Sequence, residues 1–176
     1  MFIFKTVANL KALLQSKNIY VKKTLAKGWG LFARRAFRKN ETLFVIKGSL
    51  VTETYDSRYR KGARWISIGS KKWLNPFPHN GLWFLNHSCR PNAGRKGIHR
   101  IVAMKKIGKD DEITLDYSTT EEDPFWKMKC RCHEKTCRKI LRSIQSLPVG
   151  LFRKYQDYVP AHLRRTYESR LKSTQN

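Results

Sequence analysis

Acidic residues are scarce in this chain of 176 residues. Lys and Arg together number 37, whereas Asp and Glu number 13, and the formal net charge is +24. A protein with so large an excess of positive charge attracts polyanions and repels other cations. The composition therefore favours a partner such as DNA or RNA, and the alternative is a plain basic surface that is only solvated.

Long apolar runs are missing as well. No stretch approaches the roughly 18 residues that a membrane-spanning helix needs. Residues 1–16 lack the unbroken apolar run and the small-residue cleavage site of a secretory signal. We therefore expect an intracellular protein without membrane contact. Low-complexity segments and internal repeats are not evident.

Short strands punctuated by Gly and Pro dominate the sequence up to about residue 120. The clearest strand is "ETLFVIKGSLVT" (41–52), which we expect to end at Gly48, and residues 99–118 predict a strand, a turn and a second strand. After Pro124, apolar residues recur at helical intervals, which predicts short helices broken at Pro148 and Pro160. The pattern indicates a mainly β fold with a helical C-terminal end.

Cysteine is rare and unevenly placed: of four Cys residues, three lie in Cys130-x-Cys132-x4-Cys137. Three close thiols in an intracellular protein indicate zinc, which takes four ligands in structural sites. His133 could be the fourth ligand, but it directly follows Cys132, and one chain can hardly direct both side chains at one ion. We therefore favour a zinc site of Cys89, Cys130, Cys132 and Cys137. The alternatives are a disulfide pair or reduced thiols that merely pack.

Four motifs follow one another in order: "GWG" (28–30), "NHSCRPN" (86–92), "DEITLDY" (111–117) and the Cys-x-Cys-x4-Cys segment. In this order they resemble the SET-domain protein-lysine methyltransferases with a post-SET zinc-binding segment. The resemblance implies a SET fold of several small β-sheets, in which the "NHSC" segment threads beneath the "DY" segment as a C-terminal pseudoknot. We expect a SET domain at 17–120, a zinc-bound post-SET segment at 121–140 and a helical basic tail at 141–176.

The resemblance also implies that S-adenosylmethionine is the methyl donor. The residues that it assigns to the cofactor site are Gly28, Trp29, Gly30, Tyr55, Asn86 and His87. Two glycines let the backbone approach a ligand closely, and the Trp between them offers a flat apolar surface. The alternative for "GWG" alone is a Gly-bracketed turn with a core Trp.

Tyr117 is the predicted catalytic residue. In the family, the Tyr of the "DY" pair places its hydroxyl at the methyl-transfer centre, where it orients the amine and the methyl group. We expect Phe84, Leu115 and Trp126 to line the lysine channel. The family usually carries Phe or Tyr at the position of Leu115. Because Leu has no hydroxyl to hold a water there, we expect more than monomethylation unless Phe84 refills the space.

The resemblance suggests histones or other basic chromatin-type proteins as substrates. Since a chain of charge +24 repels such proteins, six acids that flank Tyr117 are expected to form an acidic entrance: Asp110, Asp111, Glu112, Glu121, Glu122 and Asp123. Asp116 is expected to be structural support, and the basic remainder to contact DNA or RNA. The location would be the nucleus if a histone is the substrate, and the cytoplasm otherwise. The rival hypothesis is a non-catalytic SET-fold or zinc module that binds nucleic acid or a peptide.

Overall fold

Strands predominate in the first part of the fold and helices in the last. A computed structural model describes residues 16–24, 27–52, 65–69, 72–78 and 80–173. The strands within this part of the chain are β1 (Ile19–Thr24), β2 (Gly28–Ala33), β3 (Thr42–Val45), β4 (Gly48–Val51), β5 (Ile66–Gly69), β6 (Lys72–Pro76), β7 (Asn86–His87), β8 (Ala93–Lys96), β9 (Arg100–Ala103), β10 (Glu112–Leu115), β11 (Lys127–Lys129) and β12 (Ile140–Arg142). The α-helices are α1 (Val149–Tyr155) and α2 (Ala161–Ser173).

The strands form several small sheets, which confirms the mainly β architecture. One sheet has the order β1-β2-β10-β7, two three-stranded sheets have the orders β3-β9-β8 and β4-β6-β5, and β11 pairs with β12. Side chains from the first three sheets share one apolar core, in which Leu31, Ile101 and Ile113 are fully buried. Burial of such side chains is the main favourable term that holds the sheets together.

The predicted strand at 41–52 is wrong, because this stretch forms two strands. β3 and β4 belong to different sheets, and Gly48 begins β4 instead of ending the strand. A Cβ atom at Gly48 would lie 2.3 Å from the carbonyl oxygen of Asn75 on β6, so the close pairing of β4 with β6 requires glycine. The end of β3 could not be recognised from the sequence because Ile46, which lies between β3 and β4, is apolar and buried like the strand residues.

Two short turns of the fold are related to each other by a local pseudo-symmetry. Residues 33–41 and 103–111 form two turns that lie against each other, and Phe37 and Ile107 exchange backbone hydrogen bonds of 2.9 and 3.1 Å. Similar residue types occupy equivalent positions of the two turns, such as Phe37 and Ile107 in the centre. The likeness extends over only nine residues in each turn, so it does not stand out as a repeat in the sequence.

The C-terminal segment packs on the β-sheets. The Tyr158 hydroxyl donates a 2.9 Å hydrogen bond to the Asn40 side chain, and a Cβ atom at Gly94 of β8 would lie 2.5 Å from the Cβ of Tyr158. The predicted breaks are confirmed, since α1 and α2 begin directly after Pro148 and Pro160. Among the described residues, no helix combines the length and apolar character needed to cross a membrane.

His162 of α2 is a buried contact between the helix and β5. Its Nε2 lies 3.2 Å from the Ser67 hydroxyl, which itself donates to the Glu122 carboxylate at 2.8 Å. Because the Ser67 proton is directed at Glu122, the Ser67 oxygen accepts a hydrogen bond from Nε2 of the His162 ring. Burial, followed by the positive charges of Arg95 and Arg165, lowers the pKa of His162 to about 4.

His162 is expected to make the folded protein less stable in mild acid. In the unfolded chain the His162 pKa returns to about 6.5, so the unfolded state binds more protons between pH 6.5 and 4 and stability falls as pH drops through that window. We expect the melting temperature to decrease from pH 7 to pH 5, and His162→Gln to flatten this dependence in part. The exposed His99→Gln is the control, and an equal flattening in both variants would contradict the assignment to His162.

Candidate active site and metal centre

The two longest motifs lie side by side. β7, which carries Asn86 and His87, pairs in parallel with β10. The Asn92 side chain fastens the two segments, because its amide nitrogen donates to the Glu112 carbonyl and its oxygen accepts from the Thr114 amide, both at 2.8 Å. Both motifs thus lie on adjacent segments that the Asn92 side chain holds together.

Tyr117 follows β10 and begins a short 3-10 turn. Asp116 caps this turn by accepting a hydrogen bond from the Ser118 amide at 3.1 Å. The Tyr117 hydroxyl donates to the backbone carbonyl of Leu85 at 2.8 Å. The Tyr117 hydroxyl oxygen and the Leu85 carbonyl oxygen therefore lie side by side.

Asn86 has a fixed orientation at the edge of the predicted cofactor site. Its amide nitrogen donates to the Trp29 carbonyl at 3.2 Å and to the Glu112 carboxylate at 2.9 Å. Both partners are acceptors only, so the amide assignment is unambiguous and the side-chain oxygen is left as an acceptor. Glu112 also pairs with Lys27 at 2.8 Å, a contact that sequence reasoning missed because the two residues are distant in the chain.

The "GWG" stretch forms part of β2 beside Asn86. Gly28 adopts a φ of +75°, and a Cβ atom there would meet no atom within 4 Å, so the backbone is open to a ligand on this side. At Gly30, by contrast, a Cβ atom would lie 2.8 Å from the Thr24 side chain. Trp29 is 43% exposed, which does not agree with the alternative of a core Trp. Tyr55 lies outside the described residues.

The four Cys side chains lie close together in one cluster with Leu141. The Cys89 and Cys130 sulfurs are 3.9 Å apart, and the thiol of Cys137 interacts with those of Cys130 and Cys132. A backbone N–H of Lys139, as the main cause, lowers the pKa of the Cys137 thiol to about 7, whereas burial raises the pKa of Cys130. The donor set is that of a structural zinc site.

His87 is a fifth candidate donor that the sequence analysis did not include. Its Nε2 lies 3.3 Å from the Cys89 sulfur, and the ligand atoms of His87, Cys89, Cys130 and Cys132 all lie within 4.8 Å of one another. His133, the alternative considered from sequence, is exposed and is not in this group.

The hydrogen bonds of His87 decide which nitrogen carries its proton. The backbone N–H of Tyr117 donates to Nδ1 at 3.3 Å, so Nδ1 must be the unprotonated nitrogen. Burial, followed by the charges of Arg138 and Lys27, lowers the pKa of His87 to about 3, and the ring is neutral. Nε2 therefore carries the proton and donates to the Cys89 sulfur, which favours the four thiols as ligands and His87 as their hydrogen-bond donor.

A buried ion pair joins the cysteine segment to the tyrosine segment. Arg138 donates to the Asp116 carboxylate at 2.5 Å and to the Ser118 hydroxyl at 3.2 Å, while its backbone N–H donates to the Cys89 sulfur at 3.4 Å. Asp116 is 1% exposed, and burial raises the pKa of its carboxyl group while Arg138 opposes the rise. One residue thus contacts both the sulfur cluster and the cap of the Tyr117 turn.

We expect Arg138→Ala to destabilise the protein by about 3–5 kcal/mol, because it leaves a carboxylate buried without its cation. The melting temperature would fall by roughly 6–15 °C for a chain of this size. Thermal unfolding followed by circular dichroism measures this. The matched control is Arg142→Ala, at an exposed position on β12, and a similar small effect of both variants would contradict the importance of the ion pair.

The predicted channel residues are found in two neighbouring clusters. Phe84 and Leu115 belong to the main apolar core, while Trp126 packs with Tyr117 beside the cysteines. Phe84 directly precedes Leu85, whose carbonyl accepts the Tyr117 hydroxyl. The roles of these residues in a channel stay a prediction.

The predicted acidic entrance is wrong for one of its six residues. Glu121 is buried and accepts hydrogen bonds from the backbone N–H groups of Glu122 and Asp123, so it caps its own chain. Asp110 and Asp111 likewise accept hydrogen bonds from neighbouring groups, the Tyr20 hydroxyl and the Gly108 amide. Glu121 therefore does not belong to an acidic entrance, and an entrance formed by the other acids stays a prediction.

Comparison with known proteins finds a match to one protein family. The family model of the SET domain matches residues 28–118, about half of the chain. This range contains the predicted cofactor residues of "GWG" and "NHSCRPN", together with Tyr117. The sulfur segment at 130–137 lies beyond the matched residues.

Similar proteins are histone-lysine methyltransferases. The H3 lysine-36-specific histone-lysine N-methyltransferase of Candida albicans is 27% identical over 143 residues, which are 72% of this chain and 17% of that protein. Histone-lysine N-methyltransferase set-2 of Caenorhabditis elegans is 34% identical over 134 residues, 65% of this chain and 8% of that protein. The chain spans less than a fifth of the length of either relative.

A solved structure is also similar at a low level. It is that of a candidate histone methyltransferase of Plasmodium falciparum, with a TM-score of 0.47 and 26% sequence identity. The similarity covers 58% of this chain and 94% of the other.

Proposed function

Because the chain belongs to the SET-domain family, we propose that it is an S-adenosylmethionine-dependent protein-lysine methyltransferase that acts on histones or other basic chromatin-type proteins. The observation that carries this proposal is the pairing of β7 with β10, because β7 carries Asn86 and β10 leads directly into the segment that carries Tyr117. A zinc module that only binds nucleic acid would have no use for this arrangement.

The residues present fit S-adenosylmethionine. Gly28 leaves its side of the backbone open, Trp29 offers an exposed ring, and the free side-chain oxygen of Asn86 can accept from an ammonium group. Both ring nitrogens of His87 are already bonded, so we propose that His87 contributes backbone groups to the cofactor. The cofactor would supply a methyl group on a sulfonium, which needs no metal for its transfer to an amine.

The residues present also fit zinc. Four thiols lie together, and zinc prefers thiolate ligands in closed tetrahedral sites. We propose Cys89, Cys130, Cys132 and Cys137 as ligands, with His87 donating to the Cys89 sulfur. The ion would be structural, since Cys89 and Arg138 connect its cluster directly to the segment that carries Tyr117.

Tyr117 and Leu85 would orient the substrate amine. A lysine ordinarily has a pKa of about 10.4, and an apolar channel lined by side chains such as Phe84 and Leu115 favours the neutral amine that the reaction needs. The Tyr117 hydroxyl and the Leu85 carbonyl are then the two oxygen atoms available to hold that amine in line with the methyl donor.

The basic surface suggests that the substrate is presented next to nucleic acid. A charge of +24 disfavours a free basic substrate but favours one that is held on DNA or RNA. We therefore propose nucleic-acid contact as a further property of the protein, and a nuclear, chromatin-bound location where histones are the substrate.

The test is methyl transfer from labelled S-adenosylmethionine to a panel of histones, nucleosomes and unrelated basic proteins. We expect label on at least one histone-like protein, and more label on nucleosomes than on free histones. Cofactor binding without label on any protein would support the non-catalytic alternative and contradict the proposal.

A further inference from the structure

We infer that the pseudo-symmetric pair of turns forms a binding surface for the phosphate backbone of duplex nucleic acid. This paired-turn surface consists of Arg35, Arg38, Lys39, Lys105, Lys106 and Lys109. The inference deepens the proposed nucleic-acid contact and does not depend on methyl transfer.

The backbones of the two turns hold these cations in fixed positions. The Asn40 amide donates to the Ala103 carbonyl, and the Asp110 amide donates to the Ala33 carbonyl, both at 2.8 Å. Asn40 and Asp110 have φ values of +69° and +66°, so the two turns also share an unusual backbone conformation. Equivalent lysines, Lys39 and Lys109, directly precede these residues.

A rigid scaffold lowers the cost of binding. Since the turns are fastened to each other at their centre and at both ends, little backbone entropy is lost when a ligand is bound. The paired turns thus bring cations from two distant parts of the sequence onto one scaffold.

The positive charge of this surface is only partly neutralised. All six cationic residues are exposed. Glu41 pairs with Arg35 at 2.7 Å, and Asp110 and Asp111 accept hydrogen bonds from their own surroundings. Within the described part of the chain, the four lysines of the surface have no carboxylate partner.

The chemistry of the surface favours nucleic acid over a membrane or an acidic protein. The apolar residues of the two turns, Phe37 and Ile107, are buried between them at 1% and 0% exposure. Membrane-surface binding uses exposed apolar side chains that insert between lipids, and protein interfaces use exposed aromatic anchors. A surface on which six exposed cations outnumber the acids Glu41, Asp110 and Asp111 fits the sugar–phosphate backbone, whose recognition is mainly electrostatic.

The experiment measures binding of a fluorescent duplex DNA of about 20 base pairs by anisotropy at several salt concentrations. We expect Lys39→Glu combined with Lys109→Glu to weaken binding about tenfold or more, and to make the slope of log K against log salt less negative by about 2. Thermal melting checks that this double variant is folded. If it is not, Lys105→Glu combined with Lys106→Glu takes its place in the same experiment.

The matched control is Arg165→Glu combined with Lys172→Glu, which makes the same change in net charge at exposed positions of α2. Equal losses of affinity for the duplex in the two double variants would show a general charge effect and overturn the inference. Stronger loss of binding to anionic lipid vesicles than to the duplex would also overturn it.

A wild-type protein that does not bind the duplex would overturn both this inference and the proposed nucleic-acid contact. Methyl transfer to a short histone peptide, measured on the same preparation, tests the enzymatic proposal separately.

Discussion

Replacing Tyr117 by Phe is expected to lower methyl transfer by about 100-fold or more, because the hydroxyl is one of two oxygen atoms that would orient the amine. Binding of S-adenosylmethionine should hardly change, since the Asn86 amide and the Gly28 backbone are untouched. The loss of one hydrogen bond to the Leu85 carbonyl costs about 1 kcal/mol of stability. Steady-state kinetics, calorimetric titration of the cofactor and thermal melting measure the three effects.

Tyr167→Phe is the matched control for this prediction. The Tyr167 hydroxyl also donates to a backbone carbonyl, that of Leu147, at 3.0 Å, but it lies in the C-terminal apolar cluster. Both variants should lose similar stability, and only Tyr117→Phe should lose methyl transfer. Activity close to that of the wild type in Tyr117→Phe would remove Tyr117 from the reaction.

Cys89→Ser is expected to lose zinc and methyl transfer together. The Cys89 sulfur lies 3.9 Å from that of Cys130, 3.3 Å from His87 Nε2 and 3.4 Å from the Arg138 amide, so it is the contact between the β7 segment and the sulfur cluster. Structural zinc supplies about 10 kcal/mol or more of binding energy to small domains, and we expect a fall of roughly 10 °C or more in melting temperature. Elemental analysis measures the loss of zinc, thermal melting the loss of stability, and steady-state kinetics the loss of methyl transfer.

Three further variants identify the ligands. The proton assignment of His87 predicts that Cys137→Ser loses the metal as Cys89→Ser does. His87→Ala is expected to weaken zinc binding only by about 10–100-fold, because His87 donates a hydrogen bond to a ligand and is not itself a ligand. The exposed His133→Ala should keep the metal. Retention of zinc in Cys89→Ser, or full loss in His133→Ala, would contradict this ligand set.

Motif order was the strongest sequence signal, and it predicted the fold well. The mainly β architecture and the helix starts after Pro148 and Pro160 follow from local patterns of apolar residues, Gly and Pro, whereas the several small sheets were implied only by the family resemblance. The boundary within 41–52 could not be predicted, because Ile46 is apolar like the strands that it separates, and only the pairing of Gly48 with β6 reveals the corner.

Contacts between residues that are distant in the chain could not be predicted from the sequence. The role of Arg138 depends on a buried carboxylate more than twenty residues earlier, and that of Glu112 depends on Lys27. His87 was predicted from resemblance as a cofactor residue, yet its ring is directed at Cys89 and at the Tyr117 backbone. Residue type and order indicated which groups matter, whereas hydrogen-bond direction determined what each group can do.

The most direct test of methyl transfer is mass spectrometry of a histone-like substrate after incubation with S-adenosylmethionine and either wild-type protein or Tyr117→Phe. We predict methyl groups on a lysine side chain with the wild type, including products beyond monomethyl-lysine because Leu115 replaces the usual aromatic residue, and almost none with the variant. Unmodified lysines with the wild type on every histone-like substrate, or equal modification by both proteins, would contradict the account.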